Sequence, residues 1–99
     1  MSVAPDVISK TVAAAGTRVQ FTTTGTPVRW AKFRARAGNG GKIYLGDNGV
    51  SSSNGYELNA SETLEVELPD GVVFDLSQFW TDSGANGDKV DVFFMREGV

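Results

Sequence analysis

Hydrophobic and polar positions alternate along most of this chain with the period of two that belongs to half-buried β-strands. In TRVQFTTT (17–24), Val19, Phe21 and Thr23 share one face and Arg18, Gln20 and Thr22 the other. TPVRWAKFRARA (26–37) follows the Gly25 turn. Its Ala31, Phe33 and Ala35 lie on one face, with Trp30, Lys32, Arg34 and Arg36 opposite. KIYLG is a short strand. In SETLEVEL, Leu64, Val66 and Leu68 point inward and Glu65 and Glu67 outward. VVFDLS and QFWTDS read as a short strand and a following edge strand. KVDVFFMR closes the pattern with Val90, Val92 and Phe94 on one face. Only Ala13–Ala15 favours a helix. Gly16 ends that run, and no 3.6-residue period surrounds it.

Turn chemistry separates these segments. GNGG (38–41) can supply the positive φ angles of a tight reversal. Pro69-Asp70-Gly71 and GANGD (84–88) are further turns. Many short strands with turn clusters between them predict an all-β fold: an antiparallel β-sandwich or a jelly-roll-like small barrel. Strand parity predicts a core of Phe33, Leu64, Val66, Phe74, Leu76, Val92 and Phe94. Residues 1–15 contain Pro5 and lack this pattern. They are expected to form an extended N-terminal arm ahead of a single β domain over 16–99.

Composition narrows the chemistry. The 99 residues make one domain with a modest core. There is no cysteine, which excludes disulfides, thiolate metal sites and thiol nucleophiles. There is no histidine, so the usual general base and the commonest neutral metal ligand are missing. No apolar run approaches the ~18 residues of a membrane span. MSVAPDVISK lacks the basic start and apolar stretch of a signal peptide, and none is expected. The net charge of −3 hides a split: residues 1–42 carry seven basic groups and one acid, and residues 43–99 eleven acids and two basic groups. Such a split either stabilises the fold internally or makes subunits adhere to one another.

Several motifs invite functional readings. DSGANGD (82–88) resembles the start of a calcium loop, but Phe93 stands where the bidentate Glu belongs. GNGGK lacks phosphate-loop spacing and precedes a strand. Arg29, Lys32, Arg34 and Arg36 with Trp30 have the residue types of a nucleic-acid face. A solvated sheet face paired with Glu65 and Glu67 explains them better in an acidic chain. Glu62, Glu65 and Glu67 have the residue type of glycosidase carboxylates. Their alternation on one strand fits an exposed face instead. Trp30, Tyr44, Tyr56 and Trp80 suggest a sugar platform, or core and subunit interface. YLGDNGVSSSNGYEL (44–58) has the chemistry of a self-satisfied connector. Gly46, Gly49 and Gly55 fit tight or left-handed backbone, Asp47, Asn48 and Asn54 fit Asx turns, and Val50 and Tyr56 fit apolar plugs.

The order of these segments resembles a pattern in small virion proteins of tailed bacteriophages. The matching residues are Ala35, Asn39, Tyr44, Gly46, Asp47, Val50, Ser51, Asn54, Gly55, Tyr56 and Leu58, with Ser61 and Glu62 opening the next strand. DLSQFWTDSGANGDKVDV (75–92) is similar to the later part of the pattern. The resemblance covers about residues 17–95, and the chain departs from it at Trp80 and in the basic strand 29–36. It implies a compact β-sandwich that coats the virion, as a capsid decoration (cement) protein, and no catalysis. The implied partners are the major capsid protein and further copies of the chain, a trimer among the options, with no nucleic acid, membrane, metal or cofactor. The implied location is the virion, assembled in the cytoplasm of the host bacterium. Candidate interface residues are Val3, Val7, Ile8, Arg29, Trp30, Lys32, Arg34, Arg36 and Trp80. The alternative reading is a fibre or tail-associated module that contacts host glycans.

Overall fold

The computed structural model describes residues 3–69 and 71–97. Nine strands form two antiparallel sheets among these residues: β1 Val3–Val12, β2 Val19–Gln20, β3 Pro27–Ala35, β4 Ile43–Gly46, β5 Tyr56–Leu58, β6 Thr63–Glu67, β7 Phe74–Asp75, β8 Trp80–Ser83 and β9 Asp88–Glu97. A 3-10 turn spans Leu76–Gln78. The first sheet runs β1-β9-β3-β6, with β7 also paired to β3, and the second runs β2-β8-β4-β5.

This order follows from rolling up one long hairpin. β4 pairs with β5, β3 with β6, β2 with β8 and β1 with β9, so the chain folds back on itself around the 47–55 loop. Rolling the hairpin brings β9 beside β3 and β8 beside β4, which closes the two sheets. The result is the eight-stranded jelly roll, with β7 as a short addition. An all-β sandwich is what the sequence pattern predicts.

The core lies between the sheets. Val28, Ala31, Phe33, Ala35, Val90, Val92 and Phe94 from the first sheet meet Phe21, Ile43, Leu45, Leu58 and Leu76. Phe33 is the aromatic hub, edge-on to Phe21 at 5.3 Å and stacked on Phe79 at 5.3 Å. Of the predicted core, Phe33, Leu76, Val92 and Phe94 are fully buried, while Leu64, Val66 and Phe74 pack against its margin. Val28 shares sequence parity with the outward Trp30 and Lys32, yet it is buried. A β-bulge between Val28 and Ala31 sets two β3 residues against Met95 and resets the alternation.

Three expectations change. The described part of the expected 1–15 arm does not stand apart: β1 lies antiparallel along the whole of β9, from Val3 opposite Glu97 to Val12 opposite Asp88. A ten-residue strand satisfies the open backbone edge of β9, and Val12 and Ile8 fill the core behind it. The alternation is hidden in the sequence because Asp6 and Lys10 share the parity of Ile8 and Val12. QFWTDS is not an edge, since β8 lies between β2 and β4. GNGG is not a hairpin reversal. It carries the chain from the first sheet to the second, and positive φ among the described glycines falls at Gly16, Gly71 and Gly87. Within the expected Pro69–Gly71 turn, Asp70 lies outside the described residues.

Truncating Phe33 or Phe94 to Ala removes a fully buried ring and is expected to cost ~3–5 kcal/mol. Phe93→Ala, on the outer face of the same strand, is expected to cost far less. Urea unfolding of the three variants checks the assignment, and equal losses would contradict the strand parity.

Candidate functional site

The outer face of the first sheet is uncovered. Its cross-strand rows are set by register. Val7 stands opposite Phe93, Phe93 opposite Lys32 and Lys32 opposite Glu65. In the next row Ser9 faces Asp91, Asp91 faces Arg34 and Arg34 faces Thr63. Val7 is 55% exposed and Phe93 42% exposed. The Trp30 ring meets Phe93 edge-on at 5.6 Å, and its indole N–H donates to Glu65. An apolar patch of Val7, Phe93 and Trp30 therefore lies on the face beside Lys32 and Glu65 and the charged row of Asp91 and Arg34.

Some of these charges are matched within the chain. Arg36 donates to both Asp91 carboxylate oxygens, at 2.8 and 2.9 Å, and the Ser9 hydroxyl donates to Asp91 at 2.5 Å. On the second sheet Lys42 reaches Glu57 at 3.4 Å. Because β3 lies between β6 and β9, the basic front of the chain is seated against its acidic second half. The split charge therefore acts inside the fold, and Glu65 and Glu67 do lie opposite Lys32 and Trp30.

The other candidates separate. Ile8 packs against the core, and the Val3 side chain lies outside the described residues. Arg29 sits at the bulge, half-buried. Trp80 is on the second sheet, so it and Trp30 share no surface. Tyr44 is buried and Tyr56 is exposed at the edge strand β5, so the four aromatics form no common platform. Sequence reading left out Phe93, although the inward parity of Val92 and Phe94 implies its outward aim.

The 47–55 loop folds back over Tyr44 and Gly46 of β4. Val50 is buried beneath it, and a Cβ on Gly55 would lie 2.8 Å from Val50 Cγ2, so only glycine fits there. Ser51 and Asn54 exchange backbone hydrogen bonds at 2.9 and 3.1 Å. Asp47 accepts from the Gly49 N–H at 2.8 Å, and the Asn54 amide donates to the Gly49 carbonyl at 3.2 Å. Val50 is the plug that the sequence suggests; Tyr56 is not.

Beside this loop is an open cleft of about 370 Å³ lined by Gln20, Asp47, Asn48, Ser77, Gln78 and Trp80. Trp80 lies between Gln20 on β2 and Gly46 on β4. The Gln20 amide donates to the Ser77 carbonyl at 2.7 Å. Asp75 fixes the turn that carries Ser77 and Gln78 by accepting from the N–H groups of Thr26 and Ser77, both at 2.9 Å. Those bonds, Thr26 first, hold its carboxyl below the ordinary aspartate value.

Asp82 and Asp88 are buried and take backbone N–H groups: Gly16 and Ser83 on Asp82, Gly40 and Gly41 on Asp88. The Asp91 carboxyl is held below its ordinary value chiefly by the Arg36 hydrogen bond, helped by Ser9 and by the charges of Arg36 and Arg34, while partial burial opposes the shift. A depressed folded-state pKa contributes stability that is complete above the unfolded value of about 3.9 and is lost as pH falls through the folded value. Asp91→Asn should therefore melt below the parent at neutral pH, and the gap should close as the pH is lowered from about 4. A gap that is constant with pH in thermal melts would remove the pair from the acid response.

No protein-family model matches the chain, and no curated protein matches it. Among solved structures it is similar to IMPa from Pseudomonas aeruginosa in complex with an O-glycopeptide, at TM-score 0.56 and 10% identity, over 94% of this chain and 12% of that one. The IMPa metallopeptidase in complex with T-antigen matches at TM-score 0.56 and 11% identity, over 97% of this chain and 13% of that one. A Bacillus endospore appendage protein, from disulfide-linked pili, aligns over 96% of this chain and 85% of its own at 19% identity, but its TM-score of 0.34 supports no argument. The chain spans about an eighth of the metallopeptidase, and at such identities the likeness is one of fold alone.

Proposed function

We propose that this chain is a non-catalytic structural subunit of a bacteriophage virion, one that decorates and stabilises the capsid by protein–protein contact. The observation that carries the reading is the uncovered outer face of the first sheet, with exposed Val7 and Phe93 beside Trp30 and a margin of Lys32, Arg34, Glu65 and Asp91. An apolar centre with a polar rim is the anatomy of a contact surface. The segment resemblance to small virion proteins supports the viral setting, and the lack of histidine and cysteine agrees with a role without acid–base or thiol chemistry. The partner on this reading is the major capsid protein, with neighbouring copies sharing the shell. Many small footprints then act together through effective concentration.

Mixing the protein with undecorated capsids tests the reading. Phe93→Asp changes an exposed side chain and should leave folding intact while abolishing sedimentation with capsids. Mass spectrometry of purified particles should find the protein at a copy number typical of a shell component. A handful of copies per particle, or binding indifferent to Phe93→Asp, would count against decoration through this face.

A further inference from the structure

We propose that the Trp80 cleft on the second sheet binds a neutral saccharide. This site is independent of the docking face, which lies on the first sheet.

The cleft is built by separate parts of the chain. Gly46, opposite Trp80 on β4, places no side chain over the indole. A Cβ there would lie 3.1 Å from Val50 Cγ2, so the same glycine lets the loop fold down and raise Asp47 and Asn48 as one wall. The 3-10 turn, pinned by Asp75, raises Ser77 and Gln78 as the other. Trp80 is half-buried between them.

The walls hold unused polar groups. Among the described residues, the side chains of Asn48 and Gln78 make no hydrogen bond, and the Trp80 indole N–H has no acceptor, whereas that of Trp30 is held by Glu65. Asp47 uses one carboxylate oxygen on Gly49 and keeps the other. Gln20 donates to Ser77 and retains its carbonyl oxygen. Two amides can donate and accept at once, and a carboxylate oxygen can accept. A sugar ring needs that mixture for its hydroxyls and an aromatic face for its C–H surface. The volume lies in the range of small-ligand sites. Among the described residues no cation lines the cleft and one carboxylate does, which disfavours phosphate, sulfate and acidic sugars.

The test applies the full chain to an array of neutral and acidic glycans, followed by titration of the strongest hit. Binding to neutral glycans is expected, with affinity reduced about tenfold or more by Trp80→Ala, a difference of about 1.4 kcal/mol. Gln78→Ala, which alters an exposed side chain, should weaken it if Trp80→Ala proves unfolded. Trp30→Ala on the opposite sheet should leave it unchanged. No binding, binding only to acidic glycans, or hits insensitive to both cleft substitutions would overturn the proposal. Capsid binding by the Phe93 variants is read separately, so either result stands without the other.

Discussion

The fold depends on one junction, where two crossings between the sheets are bound to each other. The 36–42 segment carries β3 into β4, and the 84–87 segment carries β8 into β9. Asp88 accepts from the N–H groups of Gly40 at 2.8 Å and Gly41 at 3.0 Å. The Asn39 amide gives to and takes from the Lys89 backbone, both at 2.8 Å, much as a neighbouring strand would. A Cβ on Gly41 would stand 2.9 Å from the backbone of Gly84 and Ala85, so the crossings touch at main-chain distance. The two crossings bend opposite arms of the hairpin at different levels, and rolling brings them together as β9 comes beside β3 and β8 beside β4. Backbone groups at that junction are bonded by the side chains of Asp88 and Asn39.

Closing the roll here decides what each outer face becomes. It seats β3 against β9, which brings Arg36 to Asp91 and leaves Val7, Phe93 and Trp30 on an open sheet. On the other sheet the loop at the hairpin's tip folds back, buries Tyr44 and Val50, and leaves the Trp80 cleft at its side. The exposed edge of β1 is also guarded. Pro5 has no N–H to offer, and the Val7 N–H is taken by the Asp6 carboxylate at 2.8 Å. Strand addition at that edge is thereby discouraged.

Local alternation made much of the first sheet legible. Ala31, Phe33 and Ala35, and Val90, Val92 and Phe94, announce their inward faces because neighbouring side chains on a strand must point oppositely. The polar loop could be recognised as self-bonded because its Asx residues act within a few positions of themselves. The cleft was not legible beyond Trp80. Its lining comes from three separate stretches, at Gln20, at Asp47 and Asn48, and from Ser77 to Trp80, and no local pattern links them.

By itself, then, the sequence determined the all-β class, the main strands and the parity of their faces, since these rest on interactions between near neighbours. Tertiary structure decided the rest. It made residues 3–12 an edge strand, because only the open side of β9 supplies their partner. It buried Val28, because a bulge measured against β9 resets its parity. It buried the polar Thr81, Asp82 and Ser83 of β8, because strands on both sides and distant backbone donors receive them. Strand order and bulge register are set by which long-range pairings satisfy the most backbone and apolar surface together, and no local window of residues contains that comparison.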